Sequence, residues 1–322
     1  MCYNFVKESD NMKKIELHLH LDGSLSIPYA SKLLEKDCFN DMVSKNSNNL
    51  KEYLDKFNLP ISLLQDKSNI EEFAFLLGKE LEKDEVIYAE VRFCPLFHVE
   101  KISVDEVIKS LINGFRRVNS VKVNLIFCMM RHFDFDKNKY IIDLTKKYLG
   151  KGVVAIDLAG DEAGFPTSNF EELFNIIKDY NIPYTIHAGE ASDFNSVDSA
   201  IKFGTKRIGH GVRAIESVET IRKLVENKIL LEVCPKSNLD TNLVDDLSKH
   251  PIKELVDAGV LVSINTDNRT VSNTSLNYEY ELLEKYFNFS EKDFIKFNLN
   301  AIDGAFISSE EKELLREKLL EE

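Results

Sequence analysis

The segment KKIELHLHLDGSL, residues Lys13–Leu25, places His18 and His20 two positions apart in a run of alternating apolar residues. Residues i and i+2 of a β-strand point to the same side of a sheet, so both imidazoles should project together. The pair Asp22-Gly23 follows and predicts a turn where the strand stops. Two imidazoles at one strand end are a coincidence, a polar edge or two ligands of one metal ion.

Seven further apolar stretches have the character of strands and alternate with helical patterns along the 322 residues. They are rich in Val, Ile and Leu and apolar on both faces, which is typical of parallel strands buried on both sides. Their ranges are 85–93, 121–131, 152–160, 182–190, 207–211, 229–238 and 260–268. Eight strands alternating with helices predict an α/β fold, a (β/α)₈ TIM-type barrel, in one domain over residues 1–322.

Three parts of the chain lie outside this alternation. Residues 1–12 are expected to form a flexible leader. Residues 37–70 predict a helical lid inserted after the first strand, and the segment from Leu276 onward predicts a helical C-terminal extension. Within the insertion, apolar residues recur at helical spacing, a pattern also typical of an ordinary core helix; they are Leu50, Tyr53, Leu54 and Phe57.

The composition restricts partner and compartment. The chain has 41 basic and 54 acidic residues and a net charge of −13, which disfavours nucleic acid as a partner. No apolar run approaches the roughly 20 residues of a membrane span, and the N-terminus lacks the apolar core of a signal peptide. The five cysteines form no CxxC pair, so we expect reduced thiols in a cytoplasmic protein.

Polar side chains recur where the predicted strands end, which is the catalytic face of such a barrel. His187 and Glu190 lie at the end of the fifth strand, His210 ends the sixth and Asp267 ends the eighth. With the two histidines of the first strand, four of the seven histidines fall at strand ends. Independent coincidence explains this poorly, so we predict a site there.

The side chains of His18, His20, His187 and Asp267 offer nitrogen and oxygen ligands without thiolate. This set suits one catalytic Zn²⁺, although Fe²⁺ or Mn²⁺ would accept the same ligands. Water on such an ion has a pKa lowered toward neutrality and becomes a nucleophile. The fourth strand end, IDLAGDE, contains no lysine, which favours a mononuclear site. Of the three remaining histidines, His98 and His250 are expected on the surface, and His132, after the third strand, either lines the mouth or binds nothing.

The motifs ELHLHLDGSL, DLAGDE, HAGE, GHG and SINTDN occur in an order and at spacings that resemble the adenosine/AMP deaminase family of the amidohydrolase superfamily. The resemblance covers about Lys13 to about Phe306 and looks closest to the adenosine deaminases of that family. It implies hydrolytic deamination of adenosine and 2′-deoxyadenosine, small-molecule purine nucleosides, to inosine-type products and ammonia. Alternatives are a 5′-modified adenosine such as methylthioadenosine or aminodeoxyfutalosine, adenine, or a non-catalytic nucleoside-binding relative.

The resemblance also implies roles for individual residues. One zinc ion per chain would be held by His18, His20, His187 and Asp267. Glu190 would protonate purine N1, making C6 electrophilic. His210 would take part in water activation, and Asp267 would also bind the attacking hydroxide. We expect a monomer or a weak homo-oligomer.

Implied substrate contacts lie on the same face. Asp22 would bind the ribose 5′-hydroxyl and the Gly160 backbone N–H would contact purine N3, with His20 nearby. Asn268 stands where familiar family members carry a second Asp that binds N7, and its amide can donate to N7 as well. The lid residues Leu50, Tyr53, Leu54 and Phe57 would cover the substrate and exclude water.

Overall fold

The computed structural model of the protein describes residues 12–44, 53 and 55–321. All strands of this part of the chain are parallel to their neighbours. They are β1 (Lys14–His20), β2 (Val86–Phe93), β3 (Lys122–Met130), β4 (Val153–Ala159), β5 (Ile186–Ala188), β6 (Arg207–His210), β7 (Leu230–Val233) and β8 (Leu261–Ile264).

The strands pair in chain order in two groups, β1 to β4 and β5 to β8. Single bridges connect the two groups, one between β4 and β5 and one between β8 and β1. Ile156 of β4 pairs with Tyr184 just before β5, and Leu19 of β1 pairs with Asp267 just after β8. At the second junction, here called the β8–β1 seam, Asp267 N donates to His18 O at 2.9 Å. The sheet therefore closes on itself, and the predicted barrel is confirmed.

Helices surround the barrel. Between β1 and β2 lie α1 (Ile27–Leu34), α2 (Phe39–Met42), α3 (Asn58–Leu63) and α4 (Lys67–Lys83). The later crossovers carry α5 (Val104–Arg116), α6 (Phe135–Tyr148), α7 (Glu171–Asp179), α8 (Phe194–Lys202), α9 (Val218–Glu226), α10 (Pro235–Asp240) and α11 (Ile252–Asp257). Short 3₁₀ turns span Pro95–His98, Thr167–Phe170, Val212–Glu216 and Leu247–Lys249. No described helix combines the length and the apolar character needed to cross a bilayer.

The predicted C-terminal extension consists of α12 (Leu276–Phe287), α13 (Glu291–Gly304) and α14 (Ser309–Leu320). Helix α13 packs at the amino ends of the strands, where Asn298 Oδ1 accepts the Ile15 N–H at 2.8 Å. An apolar cluster closes this end of the barrel. It comprises Ile15, Leu17, Tyr88, Leu230, Ala301, Ile302, Ala305, Leu315 and Leu319. The opposite end, at the carboxyl ends of the strands, stays available for a site.

Several strands end earlier than the apolar runs predicted. β5 covers three residues of the predicted range 182–190, and β7 stops at Val233 because Pro235 begins α10. His210 and Asp267 adopt left-handed backbone angles, with φ of 60° and 59°. Such angles are uncommon outside glycine and concentrate at functional sites. The chain therefore turns sharply at the ends of β6 and β8.

The described cysteines, Cys38, Cys94, Cys128 and Cys234, are buried and free, in agreement with the prediction for the thiols.

Glu279 of α12 is a buried carboxyl that should make stability depend on pH. It accepts hydrogen bonds from Thr274 Oγ1 at 2.6 Å and from Lys236 N at 3.1 Å, and burial raises its pKa from 4.5 to about 8. The folded state therefore keeps a proton that the unfolded state loses first as pH rises. Between pH 4.5 and about 8, this group should cost roughly 1.4 kcal/mol of stability per pH unit.

Glu279→Gln keeps the shape of the side chain and removes its titration. Urea unfolding of the variant at several pH values should therefore show a smaller loss of stability over this window than the wild type. Glu284→Gln, on the exposed side of the same helix, is the matched control. Parallel pH dependence in Glu279→Gln and the wild type would contradict the prediction.

Candidate active site

Three strand ends and the segment after β8 bring metal-binding side chains together. Potential ligand atoms of His18, His187, His210 and Asp267 all lie within 4.8 Å of one another, and all four residues are buried. Asp267 Oδ1 is 3.4 Å from Nε2 of both His18 and His20. The Nε2 atoms of His20 and His187 are 3.1 Å apart. Three of the predicted ligands, His18, His187 and Asp267, therefore lie together with His210. The fourth predicted ligand, His20, lies next to Asp267 and His187.

The chemistry of this cluster fits a divalent metal ion. His18 Nε2 is buried without a hydrogen-bond partner, which is costly unless an ion or a water binds it. Burial lowers the pKa of His18 to about 4 and that of His20 well below its ordinary value, so both rings are neutral, as ligation requires. A nitrogen and oxygen set without thiolate is typical of catalytic zinc sites.

Two buried carboxylates hold the ligand histidines from behind. His18 Nδ1 donates to Glu232 Oε2 at 2.8 Å, and His187 Nδ1 lies 2.9 Å from Asp157 Oδ2. Arg92 bridges the two acids, with Nη1 2.8 Å from Asp157 and Nη2 2.7 Å from Glu232. Because the carboxylates place the ring protons on Nδ1, the Nε2 lone pairs of both histidines face the centre.

The charges in this buried layer compensate one another. Burial would raise the pKa of Asp157, but His187 and Arg92 hold it well below its usual range. Arg207 and Arg92 do the same for Glu232. Burial alone would lower the pKa of His187, and the Asp157 carboxylate instead raises it. No role was predicted from the sequence for Asp157, Glu232, Arg92 or Arg207.

Glu190 stands at the mouth of the site, 3.5 Å from His210 Nε2, with 22% of its side chain exposed. Its mostly buried position raises its pKa, against a smaller opposing effect of His210. The loop that carries it is fixed by Glu162, which had no predicted role. The Glu162 carboxylate accepts the backbone N–H groups of Gly189 (2.6 Å), Glu190 (3.0 Å), Ala191 (2.8 Å) and Ser192 (3.0 Å).

Asp22, in the turn after β1, faces the 3₁₀ turn Pro95–His98. Its Oδ1 atom lies 2.9 Å from His98 Nε2. His98 is fully buried, with its ring 5.9 Å from that of Phe93. The prediction of a surface position for His98 was wrong, because the turn after β2 packs against Asp22 of the turn after β1.

His250 was also wrongly predicted at the surface. It is 3% exposed, and its Nε2 atom lies 3.0 Å from Oδ1 of Asn238 in α10. Asn238 in turn lies beside His210. The KSN segment after β7 therefore connects His250 to the site.

Asn268 follows Asp267 and turns toward the inserted segment. Its Nδ2 donates to the Tyr53 hydroxyl at 3.0 Å, and that hydroxyl lies 3.2 Å from Ser272 Oγ. A Cβ atom on Gly23 would lie 2.0 Å from Asn268 Oδ1, so only glycine leaves room for this side chain. The Asp-Gly turn after β1 and Asn268 therefore fit one another.

Of the predicted lid residues, the structure places Tyr53 against the site. Phe57 is half-buried, with its ring 6.0 Å from that of Tyr53. Leu50 and Leu54 lie outside the described residues. Gly160 directly follows β4 at the same face and is exposed, with φ of 100°.

Comparisons with known proteins agree with this geometry. The family described as Adenosine deaminase matches residues 13–322. Adenosine deaminase of Clostridium perfringens (strain SM101 / Type A) is 39% identical over 323 residues, covering 95% of this chain and 97% of its own. That of Haemophilus ducreyi is 39% identical over 322 residues, covering 94% of each.

A solved arabidopsis N6-mAMP deaminase has a TM-score of 0.85 to this chain at 26% identity, covering 96% of this chain and 98% of its own. Its likeness extends over the barrel and the added helices alike. A family match that begins in the first strand and continues through the last helix shows that this chain belongs to the adenosine deaminase family.

Proposed function

We propose that the protein hydrolyses adenosine and 2′-deoxyadenosine to inosine or 2′-deoxyinosine and ammonia. The observation that carries the proposal is the Glu190 carboxyl beside the cluster of His18, His187, His210 and Asp267. Hydrolytic deamination requires both parts, because an oxygen must add to a ring carbon while a ring nitrogen takes up a proton. Both curated relatives compared above are named adenosine deaminases.

The proposal includes one Zn²⁺, held by His18, His20, His187 and Asp267. When bound, such an ion supplies a water whose pKa is lowered toward neutrality. Support comes from the convergence of the four side chains and from the neutral state of the first two. Ser237 Oγ donates to Asp267 Oδ2 at 2.5 Å and so turns the other carboxylate oxygen toward the centre.

In the proposed reaction Glu190 holds the mobile proton. It donates this proton to purine N1 while an oxygen adds to C6. The attacking water loses two protons in the reaction. One goes to the amino group, which leaves as ammonia when the C6–N6 bond breaks, and the other restores the Glu190 carboxylic acid. Water supplies the oxygen that remains on C6, so adenosine and water give inosine and ammonia. Glu162 keeps Glu190 in place by binding the backbone of its loop.

The remaining predicted residues contact the substrate in this proposal. The Gly160 N–H donates to purine N3, Asn268 to N7, and Asp22 accepts the ribose 5′-hydroxyl, while His20 and Tyr53 line the pocket. The position of Asp22 at the mouth, 2.9 Å from His98, supports its role. The enzyme is proposed to act in the cytoplasm as a monomer or a weak homo-oligomer.

The test is an ammonia-release assay on purified, zinc-supplemented protein. Adenosine, 2′-deoxyadenosine, adenine, AMP and 5′-methylthioadenosine are compared at equal concentrations. The two unmodified nucleosides should turn over fastest. Faster turnover of 5′-methylthioadenosine, adenine or AMP would overturn the substrate assignment, and no turnover of any of them would overturn the proposed activity.

A further inference from the structure

A buried chain of hydrogen bonds runs behind His210 and determines which of its ring nitrogens carries the proton. It begins at His250, whose Nδ1 accepts the backbone N–H of Ile252 at 3.2 Å. A backbone N–H can only donate, so Nδ1 of His250 presents a lone pair. Burial lowers the pKa of His250 to about 3, so the ring is neutral. Its single ring proton therefore lies on Nε2.

Asn238 transmits this orientation to His210. The His250 Nε2–H faces Asn238 Oδ1 at 3.0 Å, which fixes the orientation of the amide. The NH₂ group of Asn238 consequently faces His210 Nδ1 at 3.0 Å and donates to it. Since Nδ1 of His210 accepts, a neutral His210 carries its proton on Nε2. That atom points into the site, 3.5 Å from Glu190 Oε2.

The groups that contact Nδ1 of His18, His187 and His210 divide these three histidines into two kinds. Carboxylates stand behind His18 and His187, so their Nε2 lone pairs face the centre. An amide donor stands behind His210, so an N–H faces the centre instead. All three histidines lie close to Asp267, so distance alone does not distinguish them. The direction of the hydrogen bonds behind the rings does: His18 and His187 present lone pairs, as metal ligands must, and His210 presents an N–H group.

We propose that His250 and Asn238 are positioning residues that hold His210 as the Nε2–H tautomer. His210 then acts as a hydrogen-bond donor toward Glu190 and the oxygen that adds to C6, rather than as a metal ligand or a proton acceptor. The inference deepens the proposed function and rests on it for the identity of that oxygen. The hydrogen-bond chain itself does not depend on the substrate.

The decisive variant is Asn238→Asp, which has the same shape and replaces the amide donor by an acceptor. A carboxylate at this position accepts from both His250 Nε2 and His210 Nδ1, so it moves the His210 proton to Nδ1. We expect kcat for adenosine to fall about 10- to 100-fold with little change in KM. Asn181→Asp makes the same change of charge at an exposed asparagine and should leave kcat unchanged.

The tautomer is read directly by ¹⁵N–¹H NMR of histidine-labelled protein, with and without zinc. The His210 signals are assigned by their loss in His210→Gln. Wild-type protein should show the proton on Nε2, and Asn238→Asp should show it on Nδ1. A wild-type proton on Nδ1, or unchanged kcat in Asn238→Asp, would overturn the proposal. If Asn238→Asp fails to fold, the wild-type spectrum alone decides.

A second pair of variants separates positioning from packing. His250→Leu removes the donor to Asn238, and His250→Gln restores an N–H group at a similar reach. We expect His250→Leu to lower kcat and His250→Gln to recover part of it. Equal kcat in the two variants would contradict a role through hydrogen bonding. If adenosine is not a substrate, the proposed function fails while the NMR result still tests the tautomer.

Discussion

Glu190→Gln should lower kcat/KM for adenosine by about 10²- to 10⁴-fold and leave the metal content unchanged. The amide has nearly the shape of the carboxylic acid but cannot give a proton to purine N1. In the wild type, the Glu190 carboxyl lies at the mouth of the site, 3.5 Å from His210. Glu190 is not among the four residues proposed to hold the ion. The measurement pairs steady-state kinetics with elemental analysis of bound zinc.

Glu172→Gln, on the exposed side of α7, is the matched control and should keep the wild-type rate. Full turnover by Glu190→Gln would show that the proton comes from another group. A joint loss of zinc and activity would instead place Glu190 among the residues that hold the metal. Either result would contradict the proposed division of roles.

Arg92→Met should reduce the free energy of unfolding by about 3–5 kcal/mol. The guanidinium lies fully buried between Asp157 and Glu232 and also donates to Leu17 O at 2.7 Å. Its loss leaves two buried carboxylates without that counter-charge. Those acids also orient His187 and His18, so zinc affinity should fall about 10- to 100-fold. Urea unfolding and competitive zinc titration measure the two effects.

Arg222→Met is the control for this experiment. Arg222 also pairs with two carboxylates, those of Glu219 and Glu226, but on an exposed face of α9. Solvent screens such pairs, so the variant should lose far less stability than Arg92→Met and no zinc affinity. Arg92→Lys should fall in between, because one ammonium cannot reproduce the bidentate bridge. Equal stability of the two Met variants would contradict the argument.

The ends of the strands could be predicted from the sequence because two patterns coincide there. Apolar runs mark the strands, and polar residues such as His18, His187 and Asp267 interrupt them where the chain leaves the barrel. In a parallel barrel, all these interruptions meet at one face. The barrel and the set of residues at its mouth therefore followed from order along the chain.

The layer behind the ligands could not be predicted in the same way. Glu232 is a single acid within the apolar run LLEV, and a lone acid in a strand gives no indication of its partner. Glu90 and Arg92 offered a weak signal, since charged residues two positions apart in VIYAEVRF project to the same side. Glu90 pairs with Arg207 of β6. Arg92 pairs with Asp157 of β4 and Glu232 of β7. One sequence does not record these pairings.

His98 and His250 show a different limit of prediction from sequence, because both were expected at the surface and both are buried. Each lies in a polar connecting segment, where exposure is the ordinary expectation. His98 lies beside Asp22 of the turn after β1 and His250 beside Asn238 of α10, and the local sequence pattern indicates neither contact.

The predicted range of the seventh strand was too long for a separate reason. The apolar run continues to Cys234, but Pro235 begins α10 and ends the strand pairing.

The β8–β1 seam affects when the protein can acquire its ion during synthesis. Two of the proposed ligands belong to the first strand and one to the segment after the last, and the two sides are joined by the bond from His18 N to Asn265 Oδ1, 247 positions apart. A nascent chain still lacking β8 has no Asp267 and no closed barrel to orient the histidines. With the proposed ligand set, metal binding requires synthesis past Asp267, and a ribosome-bound fragment ending before β8 should bind zinc no better than an unfolded peptide.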